Sequence, residues 1–222
     1  MMQDKIFKQS EGDNWFKRNK KDLIKKRLKN DLTLKVIKLF NIKPERVLEL
    51  GCANGYRLDY IKNKYNSKCY GLDCSNEAIA CGKNRYKNLS LYCGGVEKLN
   101  FKNSFFDLII IHFVFHWVDR KLLKKAISEA NRVLKNKGVI IICDFYPLYP
   151  VKKAYHHIKD KKVYTYKDDY PGMFEDIGYY QNIGRITGEY GSRHICIDVS
   201  YDNRFRIDLL KKDLCMKKKN DR

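Results

Sequence analysis

The fold of this chain is decided by the stretch Val47-Leu48-Glu49-Leu50-Gly51-Cys52-Ala53-Asn54-Gly55. An apolar run carries an acid near its end, a turn bracketed by two glycines follows, and an amphipathic stretch comes next over residues 56–65. This pattern predicts a buried strand that leads through a tight turn into a helix. Glycine has no Cβ, so the turn can bend sharply and let a ligand lie against bare backbone amides. The spacing G-C-A-N-G lacks two of the glycines that the dinucleotide fingerprint G-x-G-x-x-G requires.

A carboxylate follows at the distance that a nucleoside site requires. In a doubly wound sheet, an acid at the end of the second strand binds the ribose hydroxyls, about 20 residues after the glycine turn. The strand-like run over residues 68–73 ends in Asp73, and Ser75 then provides the N-cap of a helix. We therefore predict that Asp73 binds a ribose. The alternative is an ordinary solvated acid at a helix start.

Four motifs in this order resemble those of the class I S-adenosylmethionine (SAM) methyltransferases, and of their type 11 group in particular. The glycine turn is similar to the family's E/D-x-G-x-G-x-G, with Ala53 in place of the middle glycine, and Asp73 follows it. Residues 94–101 resemble the G-D-A-E-x-L-P-F stretch that holds the adenine in many of these enzymes. Residues 131–138 are similar to the family's E-x-x-R-V-L-K-P-G-G. The resemblance covers residues 45–145.

The resemblance implies an α/β fold, with a doubly wound, seven-stranded Rossmann-like sheet, an antiparallel last strand and an N-terminal helical cap. We predict a cap or lid over residues 1–44, a SAM-binding core over residues 45–145, and a substrate-binding insertion with the C-terminal strands over residues 146–222. The last two strands are expected over residues 180–188 and 195–201, and the fifth strand over residues 138–142.

The resemblance also implies SAM as the cofactor and suggests its contacts. Gly95 stands where the family has an acid that meets the adenine amino group, so that contact is either lost or supplied by Glu97 or a backbone carbonyl. Arg18 is expected to pair with the methionine carboxylate, in a lid that excludes water from the sulfonium. The predicted cofactor-binding residues are Arg18, Glu49, Gly51, Cys52, Gly55, Asp73, Cys74, Gly95, Val96, Glu97 and His112.

Two histidines are candidates for the catalytic base. Ligands of open parallel sheets bind beyond the carboxyl ends of the strands, where His112 and His116 follow the predicted fourth strand. Transfer of a methyl group to a hydroxyl needs a base, and neutral histidine suits that role near pH 7. We predict His112 and His116 as the catalytic residues. The alternatives are that His112 only packs against the cofactor and that His116 packs at a helix start.

Aromatic and polar residues beyond the core favour a hydroxylated acceptor, because tyrosine rings offer flat faces to a sugar and polar side chains bond its hydroxyls. This part resembles a bacterial subgroup associated with surface-polysaccharide gene clusters, so the expected acceptor is a small molecule, a sugar or a nucleotide-sugar. The alternative is that the tyrosines only cover the end of the sheet. The predicted substrate-binding residues are Trp15, Tyr146, His157, Tyr166, Asp169 and Tyr170.

The formal net charge of +20 introduces a nucleic-acid alternative. The lysines are spread along the chain, however, and specific RNA sites favour arginine, which stacks and forks where lysine cannot. An RNA methyltransferase is therefore the alternative function. A SAM-binding protein without transferase activity is a second alternative, because Ala53 and Gly95 depart from the family's pattern.

Composition argues against other classes of protein. None of the eight cysteines forms a C-x-x-C pair, so reduced thiols and no metal site are expected. No apolar run reaches the roughly 18 residues that a membrane span needs, and the N-terminus has no apolar signal core, so we expect a cytoplasmic protein without a membrane partner. The oligomeric state is left open.

Overall fold

The computed structural model describes residues 2–24, 27–158, 162–190 and 203–216. Within them the chain forms the strands β1 (Arg46–Leu50), β2 (Lys68–Asp73), β3 (Ser90–Cys93), β4 (Phe106–His112), β5 (Leu134–Phe145), β6 (Val151–Ala154), β7 (Tyr164–Lys167), β8 (Tyr180–Glu189) and β9 (Arg204–Lys212). The helices are α1 (Met2–Ile6), α2 (Gly12–Ile24), α3 (Leu32–Leu39), α4 (Tyr56–Tyr65), α5 (Asn76–Arg85), α6 (Arg120–Val133) and α7 (Tyr170–Glu175).

Seven of these strands form one mixed sheet in the order β3-β2-β1-β4-β5-β9-β8. The neighbours from β3 to β5 run parallel, and β9 lies antiparallel between β5 and β8. Strands β6 and β7 form a separate antiparallel hairpin. The predicted fold class, a doubly wound sheet with an antiparallel strand beside the fifth and an N-terminal helical cap, is confirmed. The division of the chain at residues 44/45 and 145/146 remains a prediction.

The apolar strands are buried on both faces, as parallel strands between two helical layers are. Successive residues of β4 point to opposite sides, so Leu108 and Ile110 pack with α3, α4 and α5, whereas Ile109 and Ile111 pack with α6 and α7. All four side chains are fully buried. Each such burial stabilises the fold by roughly 1.5–3 kcal/mol, so these strands fix the positions of the loops at their carboxyl ends.

The N-terminal cap lies over those loops. A π-helical turn, Phe7–Glu11, joins α1 to α2. Phe16 of α2 packs with Ala53 of the glycine turn, and Phe7 packs with Tyr155 and Val163 beside the β6–β7 hairpin. These apolar contacts hold the cap against the carboxyl edge of the sheet.

The last described strand was not predicted. The expected strand over residues 195–201 lies outside the described residues, and β9 occupies Arg204–Lys212. Arg206 and Asp208 are both buried in β9, where the guanidinium donates to the carboxylate. Because Arg206 and Asp208 pair inside the sheet, β9 can lie between two other strands, although its charged residues are typical of a solvent-exposed segment. β5 also begins earlier than predicted, at Leu134. Among the described helices, none has the length and apolar character that crossing a membrane requires.

Candidate functional site

The turn after β1 has an unusual backbone. Gly51, Ala53 and Gly55 all adopt positive φ angles, of 70°, 49° and 80°. The amides of Gly51 and Cys52 donate to the Leu72 carbonyl at 2.7 and 3.1 Å, which ties the turn to β2. Glycine suits this backbone because it adopts a positive φ without a steric cost.

The positions where Cβ atoms would stand at the two glycines face protein side chains. A Cβ added to Gly51 would collide with Val114, and one added to Gly55 would lie 3.0 Å from Leu89 and 3.2 Å from Leu91. Protein side chains therefore fill the space that the missing Cβ atoms leave. A cofactor contact at either glycine remains a prediction and would have to use the backbone.

Asp73 connects the glycine turn to the next helix. Its Oδ2 accepts from the amide of Ala53 at 2.8 Å, and its Oδ1 accepts from the amide of Ser75 at 2.9 Å. Burial raises the pKa of this carboxyl, and the two backbone hydrogen bonds oppose that rise. The side chain is only half-buried, and each oxygen keeps a lone pair for a second donor. Asp73 can therefore fix the turn and still accept bonds from a ribose diol.

A buried charge cluster lies beneath the turn. Arg57 donates to Asp31 at 3.0 Å and to Oε1 of Glu49, and all three side chains are buried. Burial raises the pKa of Glu49 to about 7, although Arg57 opposes the rise. Within the described residues, Oε2 of Glu49 is buried without a hydrogen-bond partner. One cation faces two carboxylates here, so the cluster suits a positively charged ligand group such as a sulfonium or an ammonium.

His112 lies at the end of β4 next to this cluster. Its Nδ1 lies 2.9 Å from the hydroxyl of Thr33. Burial, together with the nearby positive charge of Arg57, lowers the pKa of His112 to about 3. An imidazole that holds its proton so weakly is poorly matched to proton transfer near neutral pH. The predicted role of His112 as a base is therefore not supported by its surroundings, whereas its predicted cofactor contact remains a prediction.

His116 has a different environment, in the short 3-10 turn Phe115–Trp117 that follows β4. Its Nδ1 lies 2.7 Å from Oδ1 of Asp144, near the end of β5, and both side chains are almost fully buried. Oδ1 also accepts from the amide of Phe145 at 2.9 Å, whereas Oδ2 is buried without a partner in the described part of the chain. A carboxylate at Nδ1 holds the proton there, which leaves Nε2 as a proton acceptor.

Asp169 and Tyr170 have structural partners. Asp169 accepts from the amide of Gly172 at 3.0 Å, which caps α7, and it pairs with Arg206 at 2.5 Å. Tyr170 is fully buried, and its hydroxyl donates to the Tyr166 carbonyl at 2.6 Å. The predicted substrate contact of Tyr170 is therefore wrong, because its ring belongs to the core and its hydroxyl is already bonded.

Tyr146 and Tyr166 lie under arginine side chains. The guanidinium carbon of Arg206 lies 3.8 Å from the centre of the Tyr146 ring, and that of Arg204 lies 4.7 Å from it. Arg120 lies 4.5 Å from the centre of the Tyr166 ring. Tyr146, which directly follows β5, thus lies close to Arg206, and Tyr166, in β7, lies close to Arg120. Substrate contacts for Tyr146, Tyr166 and Asp169 remain predictions.

Two other predicted substrate residues lie nearer the cap. The ring of Trp15 meets Trp117 edge-on, with 6.1 Å between the ring centres, so Trp15 stands beside the turn that carries His116. His157 is exposed after β6, with its ring 3.9 Å from that of His156 and 5.4 Å from Tyr155. The structure therefore does not gather all six predicted substrate residues into one cluster.

Arg18 is engaged within the cap. It donates to Glu11 and, at 3.1 Å, to the hydroxyl of Tyr155, which itself donates to Glu11 at 2.8 Å. The expected pairing of Arg18 with a methionine carboxylate remains a prediction. No role was predicted for Glu11 or Asp144, although the position of Asp144 directly after the apolar run of β5, at the predicted crevice, was an available signal.

The cap is also bonded to the loops after β2 and β3. Lys8 donates to Oε1 of Glu97 at 2.6 Å. Asp13 accepts from the hydroxyl of Ser75 at 2.6 Å and from the amide of Glu77 at 3.1 Å. Polar contacts therefore hold the cap over the two loops that are predicted to bind the nucleoside.

The remaining predicted cofactor residues lie in or beside these loops. Cys52 is buried, which raises the pKa of its thiol. The Sγ of Cys74 would lie 2.9 Å from a Cβ added to Gly12 of the cap, and Val96 packs against the main core. The described residues contain no cluster of side chains that could hold a metal ion.

Comparison with known proteins identifies the same core. Residues 48–142 match the sequence model of a family described as methyltransferase domain. The chain is similar to the malonyl-[acyl-carrier protein] O-methyltransferase of Bacillus anthracis, with 30% identity over 103 residues, 45% of this chain and 37% of that protein. It is also similar to the demethylmenaquinone methyltransferase of Thermotoga maritima, with 30% identity over 116 residues, 51% of this chain and 49% of that protein.

A solved structure supports the fold. The 1,6-didemethyltoxoflavin-N1-methyltransferase of Burkholderia thailandensis, solved with S-adenosylhomocysteine, is similar with a TM-score of 0.66 and 11% identity, over 88% of this chain and 83% of that one. The matches to the two curated relatives cover half or less of the length of those proteins. The predicted doubly wound, Rossmann-like fold is confirmed, and the family match covers residues 48–142, fewer than half of the 222 residues.

Proposed function

We propose that this chain is a SAM-dependent methyltransferase that methylates a hydroxyl group of a small acceptor. The observation that carries the proposal is the pairing of His116 with Asp144 at the carboxyl ends of β4 and β5, beside the turn that joins β1 to α4. A proton acceptor at this edge of a parallel sheet, next to a nucleoside site, is the arrangement that a hydroxyl acceptor needs.

The residues beneath the glycine turn fit the cofactor. Asp73 offers two carboxylate oxygens to the ribose hydroxyls. Glu49 offers a buried oxygen that has no hydrogen-bond partner among the described residues, in a cluster where one arginine faces two carboxylates. SAM, when bound, supplies an electrophilic methyl group on a positively charged sulfur. The unpaired negative charge of the cluster complements that positive charge.

His116 and Asp144 together provide the base. A neutral hydroxyl is a weak nucleophile, so its proton must move to the protein as the new bond to carbon forms. Nε2 of His116 accepts that proton, and the carboxylate at Nδ1 stabilises the imidazolium that results. Positioned bases of this kind accelerate such reactions by about 100- to 10,000-fold.

The acceptor class is inferred from the residues around the base and from the relatives. The names of the curated relatives refer to an acyl-carrier-protein-bound malonyl group and to a demethylmenaquinone, and the solved neighbour is named for 1,6-didemethyltoxoflavin. Tyr146 and Tyr166 are partly exposed near basic side chains. The flat rings suit a polyhydroxylated molecule, and Arg120 beside the Tyr166 ring suits a negatively charged group, so a nucleotide-sugar is the acceptor that we propose.

The test is transfer of labelled methyl from SAM to a panel of nucleotide-sugars and to total RNA, each at low and at raised salt. We expect transfer to a nucleotide-sugar that changes little with salt, and loss of transfer with retained SAM binding in His116→Asn. Methylation of RNA that falls steeply with salt would replace the proposal with the nucleic-acid alternative. SAM binding without transfer to any acceptor would favour a binding protein without transferase activity.

A further inference from the structure

Trp117 ends the short 3-10 turn that carries His116, and its indole nitrogen has an unusual environment. Nε1 is buried, and among the described residues it has no hydrogen-bond partner. An indole nitrogen can only donate, and the N–H of a buried tryptophan usually finds a partner. A buried donor without one costs free energy comparable to a lost hydrogen bond. The unbonded N–H therefore indicates a ligand that provides the partner.

Aromatic rings of the cap and of the β6–β7 hairpin surround the indole. Phe7 stacks on it with 5.5 Å between the ring centres, and Trp15 and Tyr155 meet it edge-on at 6.1 and 5.8 Å. The ring of His116 lies closer, with 4.4 Å between the centres. The indole therefore contacts both the cap and the proposed base.

The polar side chains around the indole are bonded to other groups. Gln3 of the cap donates to the carbonyls of Trp117 and Tyr164 at 2.8 and 2.9 Å, and its oxygen accepts from the amide of Tyr164 at 2.9 Å. The hydroxyl of Tyr155 both donates to and accepts from side chains of the cap. Within the described part of the chain these groups are occupied, so the partner that remains for Nε1 of Trp117 is an oxygen of a ligand.

The position of the indole indicates which ligand supplies this oxygen. The nucleoside of SAM is predicted at the loops after β2 and β3, whereas Trp117 follows β4, beside the strand β5 that carries Asp144. The methyl acceptor must reach His116, so it lies next to the indole. A hydrogen bond to the reacting oxygen would draw charge from the lone pair that attacks the methyl group. The neighbouring oxygen of the methyl acceptor is therefore the better partner.

We propose that the indole N–H of Trp117 donates to the oxygen next to the methylated hydroxyl, so that the site selects a vicinal diol. This inference rests on the proposed function, because it takes His116 as the base and a sugar as the methyl acceptor. The described side chains leave the N–H unbonded, and the diol supplies its hydrogen-bond partner. A sugar without the neighbouring hydroxyl should react more slowly, by about 5- to 150-fold, the cost of a buried donor left unpaired.

Methyl transfer to matched substrates tests this selection. The substrates are the nucleotide-sugar of the panel that accepts methyl fastest, and the two deoxy analogues that each lack one hydroxyl next to the methylated position. We expect kcat/KM of wild type to be lower for one of these analogues by about fivefold or more. Trp117→Phe keeps an aromatic ring and removes the N–H, so this preference should fall to about twofold or less.

The ratio of the two rates separates recognition from packing. A loss of packing in Trp117→Phe would slow transfer to both substrates and leave their ratio unchanged. Tyr65→Phe is the matched control, because it removes an aromatic donor at the C-terminal end of α4, far from the carboxyl edge of the sheet. It should keep the preference of wild type.

The indole N–H signals provide a readout that does not depend on turnover. The chain has two tryptophans, so Trp15→Phe assigns both signals in a nitrogen–proton spectrum. The Trp117 signal should stay in place with S-adenosylhomocysteine alone and move downfield when the nucleotide-sugar is added.

Three results would overturn this inference alone. They are equal rates of wild type on the diol and both analogues, an intact preference in Trp117→Phe, and a downfield shift that S-adenosylhomocysteine causes by itself, which would assign the N–H to the cofactor. If no nucleotide-sugar of the panel accepts methyl, the proposed function fails, and this inference fails with it.

Discussion

Replacement of Asp144 by asparagine tests the proposed base without altering the rest of the molecule. The substitution keeps the size of the side chain and removes its charge. The Nδ1 to Oδ1 distance is 2.7 Å, and the two side chains are 2% and 1% exposed, so solvent cannot replace the lost contact. A hydrogen bond to a charged group contributes about 1.5–3 kcal/mol, which corresponds to methyl transfer slowed by roughly 10- to 150-fold.

The assay needs a readout that does not depend on the acceptor. Nitrogen-detected spectra of the imidazoles should show the Nδ1–H form of His116 in wild type. In Asp144→Asn, the amide can donate to Nδ1, so the Nε2–H form should appear, and a ring protonated at Nε2 cannot act as the base. Initial rates at saturating SAM are then measured on the best acceptor of the panel, together with the calorimetric affinity for SAM.

Asp107→Asn is the matched control, because Asp107 lies at the opposite end of β4 and accepts from the amide of Arg46 there. It should leave the rate and the tautomer of His116 unchanged. If Asp144→Asn transfers methyl within twofold of wild type, or keeps the Nδ1–H form, the assignment of His116 and Asp144 as the base is refuted.

Three further predictions concern Gly51 in the turn after β1, Glu49 of the charge cluster beneath that turn, and His112 next to that cluster. Because the pKa of Glu49 is about 7 in the free protein and a bound cation should lower it, SAM binding at pH 6.5 should release up to about 0.8 of a proton, seen as buffer-dependent enthalpies that Glu49→Gln abolishes. The depressed pKa of His112, about 3 against 6.5, means that the unfolded chain alone takes up this proton as the pH falls below 6.5. As the pH falls from 6 to 4, His112 should therefore lower the free energy of unfolding by about 1.4 kcal/mol per pH unit. Urea unfolding of His112→Asn should show a shallower pH dependence than that of wild type. Gly51→Ala should lower the free energy of unfolding by roughly 1–3 kcal/mol because of the positive φ at this residue alone. The collision of the new Cβ with Val114 should lower it further, and adding Val114→Ala should restore only the stability lost to that collision.

Much of the fold could be predicted because its central strands are apolar on consecutive residues. Leu108 to Ile111 are buried on both faces, and that burial is visible in the sequence. β9 could not be predicted, for the opposite reason. Arg206 and Asp208 neutralise each other inside the sheet, and a sequence cannot show that two charges near one another are both buried.

Some features of the candidate site could likewise be predicted from the sequence, and others could not. Asp73 and Glu49 could be proposed from the sequence because they stand at fixed positions relative to a strand and its glycine turn. The pairing of His116 with Asp144 joins residues 28 positions apart, and the bond between Glu11 and Tyr155 joins residues 144 positions apart. Such contacts depend on how the cap and the sheet pack, which residue spacing does not determine.

The central claim is that this chain binds SAM through the turn after β1 and the carboxylate that ends β2. Calorimetric titration of wild type, Asp73→Ala and the control Asp107→Asn with SAM tests it most directly. We expect saturable one-to-one binding to wild type and to the control. Loss of the bonds to the ribose should weaken binding to Asp73→Ala by about 10- to 100-fold or more, while thermal unfolding shows that the variant still folds. Absence of SAM binding in wild type, or equal affinity in Asp73→Ala, would contradict the claim.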